Sequence, residues 1–506
     1  MLSILGILFT GCASVDFDMP KAESHVILDT QDTYLGRTVA DDLRGKPEGH
    51  SGFVTFPNGI DALAARLLMA ERAEKTIDAQ YYLLKSDTVG SAFISVLLKA
   101  ADRGVRVRLL LDDIFTSGYD AGIAGLSSHP NFEVRIFNPF ANRSARFLDG
   151  ITSFRRINRR MHNKSFTVDN QVTLIGGRNI ADEYFGARSD AKFSDLDVLA
   201  IGPVVEEVSH MFDDYWNHER SAPAAAFAKM PDDPAAELAR LRTTLDDMRK
   251  TVLKTRYAEA VTDVILDYIE SDEDELVWAP YTLTVDSPDK SIKSKSAEAA
   301  SITTPLFASI ANAEKEVIVI SPYFVPRKAG IEAFSNISAK GVEVTIITNS
   351  LSANNQFSVH GGYAPARKPL LKNGIRIYEA RADATIAGSE FATDDDAKAT
   401  LHTKAFVVDG AQIFIGSFNF DPRSAKINTE LGVIIHSSQM AQKLVEFLAV
   451  AIPDQTYEVF LDERENVRWR TLEKGEIVVF DKEPNTTWGQ RFVATIMRML
   501  PIRGQL

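Results

Sequence analysis

With one cysteine in 506 residues, the chain can form no intrachain disulfide and no metal cluster built on several thiolates. No run of apolar residues approaches the roughly 18 that a spanning helix needs, so the chain is not expected to thread a bilayer. Positive charge is also short: 56 Lys and Arg against 69 Asp and Glu leave a net charge of −13. No global field therefore draws nucleic acid to it, which counts against a nucleic-acid partner. What remains is an ordinary globular composition, 45% hydrophobic and 25% charged. The length suffices for several domains with substantial cores.

The one cysteine is informatively placed. Cys12 follows an uncharged apolar stretch, residues 1–11, that ends in Gly11. This resembles the end of a bacterial lipoprotein signal, in which the cysteine after a small residue becomes the lipidated N-terminus. The resemblance implies a leader over residues 1–12, lipidation at Cys12 and a tether in the bacterial cell envelope, on either the inner or the outer membrane. The bland alternative is an apolar tail with an incidental cysteine.

The chain repeats itself. Residues 73–82 read as a helix end running into a strand, and residues 313–323 echo them. Residues 103–112 are matched by 340–349, each preceded by an amphipathic helical stretch (91–101 and 331–339) closed by glycine. Shorter β patterns follow at 133–137 and 374–378. Alternating strands and helices predict an α/β fold with mostly parallel mixed sheets flanked by helices. Two copies predict two similar lobes packed as a pseudo-two-fold dimer. Between them, Leu238, Leu241, Leu245, Met248 and Val252 fall at helical spacing, and residues 287–301 read as a loop. The expected boundaries are a tail at 13–50, a first lobe at 51–245, a helical connection at 246–275, a second lobe at 276–484 and an amphipathic segment at 485–506.

Each copy holds one chemical cluster. The first is His162-Asn163-Lys164 through Asp169, then Gly176-Gly177-Arg178-Asn179; the second is His402-Thr403-Lys404 through Asp409, then Gly416-Ser417-Phe418-Asn419. Every His, Lys, Asp, Gly and Asn of the second lies the same interval beyond its partner in the first. His and Lys two apart on an extended segment face the same side. That sets a titratable imidazole beside a fixed cation, the pairing a phosphodiester calls for. An Asn after a glycine turn adds a neutral donor for phosphoryl oxygens. Two core histidines on strands would explain one such cluster, but not the same spacing of five residue types twice.

The pattern H-x-K-(x)4-D-(x)6-G-(G/S)-x-N, present twice, resembles the signature of the phospholipase D superfamily. The likeness covers the chain from about Gly52 onward. Residues 159–164 and 177–185, with 322–326 and 417–424, resemble the type C-like subgroup of bacterial cardiolipin synthases. The resemblance implies catalytic motifs of His162, Lys164 and Asp169 and of His402, Lys404 and Asp409, with Lys164, Asn179, Lys404 and Asn419 binding phosphate. By analogy His162 is the nucleophile, forming a phosphohistidine, and His402 the general acid. Each imidazole needs an orienting carboxylate. Glu430 is expected in that role from the second copy and Asp195, ahead of Asp197, from the first. Asp169 and Asp409, seven residues past their histidines, are read as structural residues closing the turn after the strand. No metal and no cofactor are implied, since the lysines and asparagines supply the charge stabilisation.

The implied function is a phosphatidyltransferase making cardiolipin from phosphatidylglycerol and a second phospholipid at a membrane surface. A phospholipase D hydrolase, a nuclease or other phosphodiesterase of the same fold, and an inactive membrane-associated scaffold are the alternatives. Lesser features are Arg143, Arg146, Arg155, Arg156, Arg159 and Arg160, interleaved with Phe147, Leu148, Ile151 and Phe154. They read either as a rim meeting lipid phosphates or as a solvated helix with a buried face. The segment 488–506 lies on a bilayer or docks on the core. The acidic run 394–396 reads as a solvated loop, and His360 as a possible head-group contact.

Overall fold

The computed structural model describes residues 14–187, 191–270, 276–292, 294, 300–384 and 398–499. Cys12 and the acidic run at 394–396 lie outside the described residues. Along the first half, α1 (Tyr34–Asp42), whose first turn is capped by Thr33, precedes β1 (Ser51–Phe56). Then come α2 (Gly59–Arg72), β2 (Thr76–Tyr81), α3 (Thr88–Asp102), β3 (Arg106–Asp112), α4 (Asp120–Leu126) and β4 (Phe132–Phe137). Two short helices, α5 (Arg146–Thr152) and α6 (Phe154–Ile157), lead to the hairpin of β5 (Ser165–Val168) and β6 (Val172–Gly176). After these come β7 (Ala191–Ser194), β8 (Asp197–Ile201), α7 (Pro203–Asn217), β9 (Ser221–Pro223), α8 (Pro234–Val252), α9 (Arg256–Glu270) and β10 (Val277–Ala279).

The second half repeats the plan with β11 (Tyr281–Val285), α10 (Thr303–Ala311), β12 (Glu316–Ile320), α11 (Arg327–Ser338) and β13 (Glu343–Asn349). Next are α12 (Phe357–Tyr363), α13 (Arg367–Lys372), β14 (Arg376–Ala380), β15 (Lys398–Leu401), β16 (Ala405–Val408) and β17 (Gln412–Gly416). The chain ends through α14 (Pro422–Lys426), β18 (Leu431–Ile435), α15 (Ser438–Gln455), β19 (Thr456–Leu461), β20 (Val467–Glu473), β21 (Glu476–Phe480) and α16 (Trp488–Met499).

The strands form a nine-stranded sheet ordered β10-β1-β8-β6-β5-β2-β3-β4-β9 and a ten-stranded one ordered β11-β18-β17-β16-β12-β13-β14-β19-β20-β21. The same topology thus appears twice, giving two lobes of mixed α/β structure flanked by helices. Parallel pairing is narrower than the sequence suggested. It is confined in these sheets to β2-β3-β4 and β12-β13-β14, and their other pairs are antiparallel. The reason is connection length: only the helical crossovers allow parallel neighbours, whereas short turns such as that between β5 and β6 force the strands to run back.

The expected boundaries shift in three places. Helices α8 and α9 do not bridge the lobes. They pack on α2, α3 and α4 of the first, where Leu238 and Leu241 join its core. β10 pairs with β1 and β11 with β18, so the chain passes between sheets at Pro280, later than 246–275. The 287–301 stretch is not all loop, since Pro288–Ser291 forms a 3-10 turn with Lys290 buried against Asp286. Helix α16 docks on α12, its backbone against Gly361, yet Trp488, Phe492 and Met499 stay exposed. The expected docking on the protein is thus met by one face of that segment.

Between the lobes lies a shared core that includes Val198, Trp216, Ile347, Val407 and Val433. It fixes how the two sheets meet. Within each sheet the motif strand is held by its aspartate. Asp169 and Asp409 adopt positive φ, 50° and 55°, at the start of the hairpin turn. The Asp169 carboxylate accepts from the backbone N–H groups of Glu74, Lys75 and Thr76. Asp409 accepts from those of Glu314, Lys315 and Glu316. Burial would raise the Asp409 carboxyl, but these three donors hold it below its ordinary value. Both aspartates therefore pin the end of the strand far from its histidine, roughly 20 Å away at strand rise. The signature's grouping of Asp169 and Asp409 as catalytic is corrected accordingly. Asp169→Ala, leaving three backbone donors without an acceptor, is expected to cost about 2–4 kcal/mol. Chemical denaturation checks the loss, and turnover per folded molecule should stay near wild type.

Candidate functional site

Each lobe sends the segment ahead of its motif into the other. In the first, His162 N–H donates to the Thr429 carbonyl at 2.9 Å and Thr429 N–H donates back to Arg160 at 3.0 Å. In the second, β15 runs parallel to β7 of the first lobe, and His402 N–H donates to the Ser194 carbonyl at 2.7 Å. The residue after each acceptor is a carboxylate. His162 Nδ1 lies 2.7 Å from Glu430 Oε2, and His402 Nδ1 lies 2.5 Å from Asp195 Oδ2. The carboxylates accept, so both Nδ1 atoms carry the proton and both Nε2 atoms are left with a lone pair. Every imidazole is thus oriented by the opposite lobe. Asp197, the alternative considered from sequence, instead pairs with Arg66 at 2.8 Å and Arg178 at 3.4 Å.

Two residues set the spacing of these pairs. A Cβ on Gly177 would stand 2.1 Å from Asp195 Oδ1, so only glycine leaves room for the short aspartate. At the matching position Ser417 donates its hydroxyl to Glu430 Oε2 at 2.5 Å, and Ser424 donates to Oε1 at 2.7 Å. The G/S alternation in the motif is therefore the counterpart of Asp against Glu.

Lys164 and Lys404 stand beside the imidazoles. Each ammonium donates to the carbonyl of its own motif histidine, and Lys404 Nζ lies 2.9 and 3.2 Å from the two ring nitrogens of His402. Asn179 accepts from Leu83 N–H and donates to the Tyr184 hydroxyl, while Asn419 Oδ1 is buried without a hydrogen-bond partner among the described residues. Burial pushes Lys164 down to about 7 and Lys404 down to about 8. Burial likewise lowers His162 to about 4 and His402 to about 3, helped by the neighbouring lysines and opposed by the carboxylates. Each imidazole also feels the lysine of the other lobe, so the two half-sites share one electrostatic field. Burial opposes ionisation of Glu430 and Asp195, but the paired imidazoles and lysines hold both below their ordinary values.

Sequence reasoning did not single out Asp112 and Asn349, the last residues of β3 and β13. Asp112 accepts from Met161 N–H at 2.9 Å, and Asn349 both accepts from Leu401 N–H and donates to its carbonyl. They clamp the residue before each histidine, and the repeated segment ends were the available signal. Three rings also went unremarked: Tyr82 packs edge-on against His162 at 4.8 Å, Tyr184 packs edge-on against His402 at 5.0 Å, and Phe193 stacks on His402 at 5.5 Å. His360 does not stand free for a head group: it is buried against Glu483 at 3.2 Å and Arg367 at 3.4 Å. Most of the arginines near α5 do not face outward as a rim either, although Arg155 is exposed. Arg143 and Arg146 turn inward onto Asp113, Arg160 onto Asp112, and Arg156 onto Asn138 and the Pro139 carbonyl. Their apolar neighbours face out.

Comparison with known proteins shows the family of the two lobes. The family model described as "Cardiolipin synthase, PLD-like domain" matches residues 67–216 and 306–450, one match to each lobe. The chain belongs to the phospholipase D superfamily, in its cardiolipin synthase-like branch. It is 40% identical over 456 residues to cardiolipin synthase C of Escherichia coli K12, covering 90% of this chain and 96% of the relative. It is 33% identical to an uncharacterized protein of Helicobacter pylori 26695, covering 98% and 97%. The crystal structure of phosphatidylserine synthase from Haemophilus influenzae Rd KW20 superposes with a TM-score of 0.56 at 12% identity, over 91% of this chain and 96% of that one. At that identity the likeness concerns the fold.

Near pH 6 this central cluster of six groups balances itself: two ammonium charges, two carboxylates and two neutral imidazoles. A bound phosphodiester adds one negative charge and favours protonation of one imidazole. Binding of diethyl phosphate at pH 6 should therefore take up about one proton per ligand. Calorimetry in two buffers of different ionisation enthalpy measures this, and zero uptake would refute the balance described.

Proposed function

We propose that the chain is a phosphatidyltransferase that makes cardiolipin from phosphatidylglycerol and a second phospholipid. The observation that carries the reading is the pair of imidazoles, each ordered by the other lobe's carboxylate, in a chain 40% identical to a cardiolipin synthase over 90% of its length. In this reading His162 Nε2 attacks phosphorus and His402 protonates the departing glycerol oxygen. The phosphatidyl group then rests on His162. His402, now neutral, takes the proton of the acceptor hydroxyl as that oxygen attacks phosphorus and frees His162. Lys164, Lys404, Asn179 and Asn419 hold the phosphoryl oxygens through both steps. Dryness of the site decides between alcohol and water as acceptor, and the burial of both histidines and both lysines favours the alcohol.

The proposed place is the bacterial cell envelope, with Cys12 lipidated as the tether. No helix among the described residues is long and apolar enough to cross a membrane. A second membrane contact is proposed at α5 and α6, where Phe147 (72% exposed), Leu148, Ile151 (77% exposed) and Phe154 point outward. Such a patch fits insertion into a lipid interface. The patch adjoins the site. Arg146 donates to the Asp113 and Ile114 carbonyls, and the next residue, exposed Phe115, packs against Tyr82, which packs against His162.

Expression in bacteria lacking cardiolipin synthases should yield cardiolipin, and His162→Ala should abolish it. Accumulation of phosphatidic acid alone would establish a hydrolase instead. During turnover of phosphorus-labelled phosphatidylglycerol, rapidly quenched wild-type protein should carry label through an acid-labile linkage, whereas His162→Asn should carry none. For the surface, F147S/I151S should weaken binding to phosphatidylglycerol vesicles several-fold in a sedimentation assay. Its turnover of a soluble short-chain diester should be unchanged.

A further inference from the structure

On the side of the His402 segment turned away from the imidazole, the lobes do not close. A cavity of about 450 Å³ lies between α15 and β1. Its walls include Phe53, Ile320, Ile347, Leu401, Leu444 and Leu448. Along this segment, from the end of β15 toward β16, Leu401 and Thr403 alternate with His402 and Lys404 and so face the opposite way. The cavity lining contains the former pair and neither of the latter. Thr400 and Thr403 also touch the space, but their hydroxyls donate to the carbonyls of Ala353 and Ser194. The walls are thus mostly apolar and offer water few partners.

The opening comes from a difference between the repeats. Helices α7 and α15 both follow the last motif strand and lie against the motif hairpin of their lobe. Matching their buried positions sets Phe212, Tyr215 and Trp216 of α7 against Leu448, Ala451 and Ile452 of α15. In the first lobe the large rings are fully buried and fill the space, the Tyr215 hydroxyl donating to the Asp286 carbonyl across the interface. In the second, small and aliphatic residues leave it empty. At its exposed end stand Phe447, 56% exposed, and the exposed Lys443, whose ammonium has no ionic or hydrogen-bond partner among the described residues. Arg381, also on the wall, is already paired with Asp383.

We propose that this cavity binds one hydrocarbon chain of a single-chain anionic amphiphile, a fatty acid or a lysophospholipid, with its head at Lys443. The site is separate from the reacting lipids, because the segment carrying His402 stands between. A methylene fills about the volume of a water molecule, ~30 Å³, so the space holds a chain of roughly a dozen or more carbons. Apolar walls with one cationic group at the mouth are the chemistry such a ligand requires. Occupancy would press on Ser194 and Asp195, which line the same space, and so bear on the carboxylate that orients His402.

The test is fluorescence titration of the full-length protein with cis-parinaric acid. Saturable binding of one probe per chain is expected, weakened about tenfold or more in Ala451→Trp, which restores a large ring where the first lobe has one. Leu448→Phe repeats the test should Ala451→Trp lower the melting temperature. Lys443→Glu should weaken the acid several-fold while leaving the corresponding alcohol unaffected. Displacement by palmitate or by lysophosphatidylglycerol tells which source supplies the chain. Absence of saturable binding, or binding unchanged in both filling variants, would overturn the proposal. Neither result touches cardiolipin formation, which is assayed separately.

Discussion

Everything in the site hangs on two exchanged hydrogen bonds, from His162 to Glu430 and from His402 to Asp195. They are made across the lobe boundary and in surroundings from which water is largely excluded. A carboxylate buried there is costly unless its charge is met. Lys164 and Lys404 meet it, and the imidazoles are left neutral with a fixed tautomer. Remove the exchange and each lobe would bury an unpaired acid and present an imidazole with no defined orientation. The backbone bonds of Thr429 and Ser194 to the histidine N–H groups keep that exchange in register. The shared core around Trp216 and Val433 holds the sheets close enough for it.

Much of this was legible from the chain because the motif occurs twice. Repetition separated His162, Lys164 and Asn179 from ordinary strand residues, and the strand–helix rhythm indicated two mixed α/β lobes. Direction of pairing was harder to read. An apolar strand has the same composition in parallel and antiparallel ladders, and only the connections decide. The stretch 246–275 read as a connection because it lies between the two copies, whereas Leu238, Leu241 and Leu245 pack into the first lobe. Nor did sequence show that an orienting carboxylate acts on the histidine of the other lobe. That depends on how two surfaces meet, which no spacing within one repeat encodes.

The arginine-rich stretch before the first motif shows a further limit. Interleaved Arg and apolar residues suggest a charged surface over a greasy interior. Here the carboxylates of Asp112, Asp113 and Asp120 draw in the guanidinium groups of Arg143, Arg146 and Arg160. Pattern alone gives the two faces of such a helix; the buried partner decides which one looks outward. The two lobes also differ where their motifs look interchangeable. Asp195 with Gly177 and Glu430 with Ser417 reach the same geometry by different lengths of side chain, and α7 and α15 fill their share of the interface unequally.

Pro280 has a consequence of its own. By joining β10 to β11 it ties the two halves of the site into one covalent unit, so their encounter is intramolecular. Assembly of the paired lobes then does not depend on how dilute the protein is. Nor must the two halves remain identical, as a pair of separate copies sharing one gene would have to. Each lobe is free to drift in sequence while its partner keeps pace, and the unlike carboxylates are what such freedom permits.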